Sequence, residues 1–320
     1  MKKVDNNIEL CSTKEGFGLG LKEAGAENEH VFALGTDITS SVGMNYFANK
    51  FPERFFSLGI AEQNAAAVAA GMALMKKIPV FATYAVFSAL RCADQIRVSI
   101  CYNNLHVIIG GAHAGISVGP DGATHQALED IALMRSLPNM TVLSPCDATQ
   151  TKLAIKAAIN KLSSPVYIRF GREAVPNFSS PEQHFELGKG QILYSGDDVC
   201  ILATGHLTWQ ALQAAKELAD NDINAMVINI HTIKPIDKEL IVNAAEHCGA
   251  FVTCEEHQIM GGFGSAVAEV VAKEYPVPIE FIGINDTFGE SGSPAELMKK
   301  YKLTSEYIAE AAKRALQRKR

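Results

Sequence analysis

Leu58-Gly-Ile-Ala-Glu-Gln-Asn64 opens a run of small residues that continues to Leu74, and Ile78-Pro-Val-Phe-Ala-Thr83 follows almost at once. The first stretch reads as an alanine-rich helix that can pack backbone to backbone, with one acid, Glu62, in its first turn. The second reads as a short, nearly unbroken apolar strand. Leu105-His-Val-Ile-Ile-Gly110, Met140-Thr-Val-Leu-Ser144 and Pro165-Val-Tyr-Ile-Arg-Phe170 repeat that strand pattern, with a helical stretch from Thr149 to Leu162. Strands that lose the polar alternation and alternate with helices imply a mostly parallel sheet covered on both faces. From Gly171 to Gly190 the pattern dissolves into Gly, Pro, Asn and Ser, which marks a linker. Beyond it the alternation resumes: strand Asp198 to Ala203, helix Thr208 to Asn221, strand Asn224 to Ile230, then Phe251-Val-Thr-Cys254 and Ile279-Glu-Phe-Ile282. Ser293-Pro-Ala-Glu296 combines a cap, a proline at the first helical position and a glutamate at the third, so a helix starts there. The expected fold class is α/β, with two domains, each a mostly parallel sheet flanked by helices. The expected boundaries are 1–172, a linker over 173–190, and 191–320.

A chain of 320 residues has volume for two cores, and 48% hydrophobic with 20% charged residues is ordinary for a soluble globular protein. The formal net charge of -6 argues against a nucleic-acid binder, and the basic tail Lys313-Arg314 through Arg318-Lys-Arg320 reads as the positive end of a final helix. No run of about 18 apolar residues exists, so no membrane span is expected. Residues 1–7 lack the apolar stretch of a signal peptide, which points to the cytoplasm. Seven cysteines without a CxxC spacing read as buried thiols in a reducing compartment rather than disulfides or zinc ligands.

Two segments can carry chemistry. Glu62 begins a helix, and the positive helix end favours its anion, whereas burial in an alanine-rich setting favours the neutral acid. The aromatic run Phe81-Ala-Thr-Tyr84-Ala-Val-Phe87 could supply the apolar wall. Gly119-Pro-Asp-Gly-Ala-Thr-His-Gln126 presents Asp121 and His125 four apart on a glycine-rich loop, a pairing suited to adjacent hydroxyls of a sugar. Taken singly, an acid at a helix start is a surface or cap residue, an Asp-Gly pair a turn, and a lone histidine a structural residue.

The two strings together resemble the cofactor-activating and substrate-binding motifs of the transketolase family. From about Cys11 onward the chain resembles the C-terminal half of a transketolase standing as a separate subunit, a pyrimidine-binding domain followed by a transketolase C-terminal-like domain. The resemblance implies that Glu62 bonds the aminopyrimidine of thiamine diphosphate and promotes the tautomer that deprotonates the thiazolium carbon. It gives Tyr84 and Phe87 the role of stacking on the pyrimidine. It gives Asp121 the hydroxyl next to the ketose carbonyl and His125 a catalytic place at the same oxygens. His113 matches a histidine that reaches the sugar and its phosphate, and Arg172 and Ser41 match groups for the terminal phosphate. Lys14 stands where an arginine is usual, keeping the charge but losing the bidentate fork. Ala123 replaces a usual proline. Arg91, in a pattern closer to the related deoxyxylulose-phosphate synthases, either approaches the substrate or forms an interhelical salt bridge.

The family's Gly-Asp-Gly…Asn metal and diphosphate segment has no counterpart. Ser195-Gly-Asp-Asp198 lacks the second glycine and precedes a strand, and no metal ligand is assigned in this chain. The resemblance therefore implies a cofactor shared with an N-terminal transketolase subunit, which binds most of the Mg or Ca, in a heterotetramer with two sites at subunit interfaces. The implied reaction moves a two-carbon ketol unit from a ketose phosphate to an aldose phosphate, as in the pentose phosphate pathway. Glu255-Glu-His257 and Gly261-Gly-Phe-Gly264 read as structural. One rival is the β subunit of a 2-oxo acid dehydrogenase, which would not need Asp121, His125, His113 and Arg172 around a sugar phosphate. The other is a non-catalytic scaffold, against which the presence of Glu62 argues.

Overall fold

A computed structural model describes residues 8–319. The chain enters through β1 (Leu10–Ser12) and α1 (Thr13–Glu27), then β2 (Val31–Gly35), α2 (Asn45–Lys50), β3 (Phe55–Ser57), α3 (Glu62–Leu74) and β4 (Ile78–Tyr84). Two π-helical turns, Phe87–Arg91 and Ile96–Cys101, flank the short α4 (Ala93–Gln95) and lead to β5 (Ile108–Ala112). Next come α5 (Asp130–Ser136), β6 (Thr141–Leu143), α6 (Ala148–Lys161), β7 (Val166–Arg169) and β8 (Ala174–Pro176). The remainder is β9 (Gln191–Tyr194), β10 (Val199–Ala203), α7 (Leu207–Ala219), β11 (Ala225–Asn229), β12 (Thr232–Lys234), α8 (Lys238–Cys248), β13 (Phe251–Gln258), α9 (Phe263–Glu274), β14 (Ile279–Ile284), α10 (Pro294–Lys300) and α11 (Ser305–Gln317).

The chain packs into two compact units that are not contiguous in sequence. One takes residues up to Ala114 with Leu137–Met140 and Asp147–Leu187; the other takes Gly115–Ser136, Thr141–Cys146 and everything from Gly188. In the first unit, β3, β2, β4, β5 and β7 lie side by side, all parallel. All five residues of β5 and all four of β7 are buried, as expected of interior strands of a sheet covered on both faces, Arg169 at the end of β7 included. Helix α1 packs on α6 at glycine: a Cβ on Gly16 would fall inside van der Waals distance of the Ala148 carbonyl, so only hydrogen fits. In the second unit, β14, β13, β10 and β11 are parallel and β9 closes the edge antiparallel. Helices α7 and α11 cover that sheet with an alanine-rich face, Ala211, Ala215, Ala311 and Ala315 among it.

The α/β class read from the sequence is the architecture observed. Antiparallel elements too short to show in the pattern, β1, β8 and β12, are added: β1 pairs with β8, which lies inside the expected linker, and β12 pairs with β6, the strand read at Met140–Ser144. Helix α10 begins at the anticipated capping box, with Ser293 and Glu296 bonded reciprocally. All seven cysteines are free thiols, six buried and Cys11 partly exposed. At the end of α11, Arg314 and Arg318 pair with Glu280, and Lys319 Nζ donates to the Asp198 carbonyl. Arg320 and residues 1–7, read above for a basic tail and a leader, lie outside the described residues. Among the described residues no helix is long and apolar enough to cross a membrane.

Candidate functional site

In a parallel sheet the backbone ends just past the strand carboxyl termini form the crevice where ligands bind. Seven of the eight first-unit candidates fall there. Ser41 follows β2, Glu62 follows β3, Tyr84 ends β4 with Phe87 and Arg91 behind it, His113 follows β5, and Arg172 follows β7. Lys14 is the exception, in the first turn of α1.

Glu62 opens a buried stripe of α3 with Ala65, Ala66, Ala69 and Ala70, a helical repeat that carries the acid inward. Its side chain is 4% exposed and ion-paired, Arg91 Nη1 lying 2.8 Å from Glu62 Oε2. The surroundings differ here from the purely apolar wall expected. The cause is local winding: the π-helical turn Phe87–Arg91 carries Arg91 from the end of β4 back over α3, where Gln63 Nε2 also donates to the Arg91 carbonyl at 3.1 Å. The Arg91 guanidinium rests 4.1 Å from the centroid of Phe87. Phe87 and Tyr84 have ring centroids 5.9 Å apart, and Tyr84 stacks on the His113 imidazole at 4.2 Å. His113 is buried, with φ of +53°, a left-handed backbone uncommon for a residue with a side chain. Strain of that kind clusters at functional sites. Cys92, next to Arg91, has its thiol pushed up to about 12 by burial and then by the Glu62 charge. An acid, two aromatic rings and an imidazole stacked on one of them thus line one wall, a set suited to a planar nitrogen heterocycle.

Lys14, Ser41 and Arg172 come together by backbone contacts. The Gly171 amide donates to Thr13 Oγ1 at 2.8 Å, and Ser12 pairs with Ala174 across the β1–β8 ladder, which sets Arg172 beside the start of α1. The loop after β2 coils tightly, Val42, Gly43 and Met44 amides donating to Ile38, Ser40 and Thr39 carbonyls. Gly43 has φ of +77°, and a Cβ there would lie 2.5 Å from the Lys14 carbonyl, so glycine lets the Ser41 loop seat on Lys14. Arg172 Nε lies 3.7 Å from Glu173 Oε1, both side chains partly exposed. Lys14 on α1, with Ser41 and Arg172 on the two loops beside it, offers two cations and a hydroxyl of the kind that grip an anion.

Asp121 and His125 belong to the second unit. They flank the tight turn Gly119-to-His125, in which Gly119 and Gly122 take φ of +79° and +75° and the His125 amide donates to the Gly122 carbonyl at 3.0 Å. His125 Nδ1 and Thr124 Oγ1 are 2.9 Å apart. Two residues outside the expected set hold this loop. Gln126 Nε2 donates to the Ile116 and Glu290 carbonyls at 3.2 and 2.9 Å, and buried Glu256 accepts from the Ser117 amide at 2.6 Å. The Gln of the quoted string was a visible signal for the first; the second lies in the Glu255-Glu-His257 string read as structural, and structural support of the loop is what Glu256 provides. The Gly261-Gly-Phe-Gly264 turn already has an anion at its helix start: Glu255 accepts from the Phe263 and Gly264 amides at 2.6 and 2.8 Å.

A cavity of about 660 Å³ beside α6 is lined by Lys152, Lys156 and His184, none of them candidates. Two of its lysines are paired, Lys152 with Glu23 and Lys156 with Glu27.

Two family models match the chain: the transketolase pyrimidine binding domain over residues 10–177 and the transketolase C-terminal domain over residues 188–308. The chain is 43% identical to a putative transketolase C-terminal section of Methanocaldococcus jannaschii, over 92% of this chain and 93% of that protein. It is 38% identical to a 6-deoxy-6-sulfo-D-fructose transketolase subunit of a Clostridium species, over 93% of this chain and 92% of the relative. A solved structure described as a split gene transketolase, inactive β4 tetramer, superposes with a TM-score of 0.91 at 49% identity, covering 97% of this chain and 99% of the other.

Proposed function

The chain belongs to the transketolase family, and on that premise we propose that it is the C-terminal subunit of a split, thiamine-diphosphate-dependent transketolase. The reaction is transfer of a two-carbon ketol unit from a ketose phosphate to an aldose phosphate, in the cytoplasm. A separate subunit supplies the diphosphate and Mg or Ca site, and the two chains form a heterotetramer. Residues 1–172 act as the pyrimidine-binding domain, 173–190 as a linker and 191–320 as the C-terminal domain.

One observation carries this reading: a buried acid at the start of an alanine helix, beside stacked Tyr84 and His113, at the carboxyl ends of parallel strands. That donor set fits an aminopyrimidine, with Glu62 for a ring nitrogen and Tyr84 and Phe87 as aromatic walls. Bound thiamine diphosphate supplies a carbon nucleophile. This chain's residues do the rest. Glu62 holds and returns a proton at the pyrimidine, Asp121 and His125 bond the sugar hydroxyls, and His113, Ser41, Lys14 and Arg172 take the phosphate end. Near-complete coverage of relatives named as a section or a subunit supports a separate partner, and the 49%-identical relative is described as inactive as a tetramer of one chain.

The test is to tag the chain in its native host, purify it gently and identify what co-purifies in stoichiometric amount. A partner with a Gly-Asp-Gly…Asn segment, and ketol transfer between sugar phosphates by the pair, is the expected result. Turnover of 2-oxo acids alone would make the pair a 2-oxo acid dehydrogenase component. A homodimer indifferent to thiamine diphosphate would leave a scaffold.

A further inference from the structure

We propose that Arg91 is a built-in stand-in for the cofactor's aminopyrimidine, occupying its contacts in the cofactor-free subunit and leaving when the cofactor arrives. The inference rests on the thiamine reading above. A guanidinium and an aminopyrimidine share the features that matter at this wall. Both are flat, delocalised and nitrogen-rich, able to lie on an aromatic face and hydrogen-bond a carboxylate through their edge. Arg91 makes both contacts at once: its guanidinium lies 4.1 Å from the Phe87 centroid, and its Nη1 donates to Glu62 Oε2 at 2.8 Å. Phe87 and Glu62 are two of the three residues assigned to the pyrimidine, Tyr84 being the third, so the arriving ring meets the guanidinium at both of its contacts.

The arrangement also explains how a carboxylate only 4% exposed is kept from standing alone without ligand, since an unpaired buried charge is costly. Arg91 is free to go. Its side chain is 44% exposed, and its guanidinium makes no other ion pair or hydrogen bond among the described residues. The backbone of Arg91 stays anchored by Gln63, so only the side chain need swing. Displacement costs the ligand the ion pair, and its apparent affinity falls by the fraction of subunits in which Arg91 is out.

The experiment measures thiamine diphosphate binding with magnesium, by titration calorimetry, to the assembled two-chain complex carrying wild-type chain, Arg91→Met, Arg91→Gln or Arg91→Lys. Circular dichroism checks that each variant folds, and the glutamine variant stands in if methionine does not. The expected result is binding about tenfold tighter for Met and Gln at low salt, with Lys between them and wild type. The ratio to wild type should shrink toward one as salt screens the ion pair. An arginine that merely braces the fold gives the opposite: equal or weaker binding on removal, with no salt-dependent ratio, and that overturns the inference. If wild type and variants alike bind no thiamine diphosphate, the functional reading falls and takes this inference with it. Binding that is equal across the series refutes the stand-in alone.

Discussion

Replacing Glu62 by glutamine keeps the shape of the side chain and removes its charge, so stability and turnover report on separate roles. The ion pair is short, 2.8 Å, with Glu62 4% exposed and Arg91 44% exposed. At an effective dielectric of about 20 the gross attraction is about 6 kcal/mol. Desolvating the carboxylate offsets most of it, and the exposed arginine end is screened, so a net loss of about 1–2 kcal/mol is expected. Equilibrium denaturation of the isolated chain reads this as a lower midpoint with an unchanged slope. In the assembled enzyme, loss of a positioned proton-handling group should lower turnover by about 10²- to 10⁴-fold. Turnover within threefold of wild type, from a complex that binds the cofactor normally, would refute the assignment of Glu62.

Arg172→Gln should raise KM for a phosphorylated sugar by about tenfold or more while sparing kcat, because it removes a grip common to ground and transition states. Steady-state kinetics against a non-phosphorylated analogue, which should not respond, checks it. Asp147→Ala should cost about 2 kcal/mol in chemical denaturation: it deletes the α6 cap to Gln150 at 2.8 Å and strands the half-buried loop amides of Phe178 and Ser179, bonded at 3.0 and 2.7 Å. Burial lowers His231 from 6.5 to about 4, against the raising influence of Asp237. The unfolded chain therefore takes up a proton that the folded one refuses. The contribution is intact above pH 6.5 and is lost as pH falls toward 4, on the order of 3 kcal/mol. His231→Gln should flatten that part of the stability profile measured between pH 7 and 4.

The main strands were legible because unbroken apolar runs such as Val199–Ala203 and the Ala225-Met-Val-Ile228 part of β11 fit a sheet covered on both sides. The capping box at Ser293 was legible because a cap is local chemistry within four residues. Most three-residue strands were not: β1, β3, β8 and β12 are too short to establish a period, and β1 and β8 pair from opposite ends of their unit, whereas β6 showed through its apolar run Met140-Thr-Val-Leu143. Nor could composition show that Gly115–Ser136 packs with the later half of the chain. That is decided by Gln126 reaching the Glu290 carbonyl and Glu256 holding the Ser117 amide, contacts more than 130 residues apart.

The candidate site divides the same way. Sequence alone marked Glu62, Tyr84, Phe87, Asp121 and His125, since each sits in a string whose neighbours carry the signal. It also set the helical repeat that turns Glu62 inward with Ala65, Ala66 and Ala69. It left Arg91 open between two roles, and only the tertiary structure decided where it lies. An ion pair between residues 29 apart depends on how the π-helical turn winds back across α3, and a summed geometry of that kind has no signature in either segment by itself.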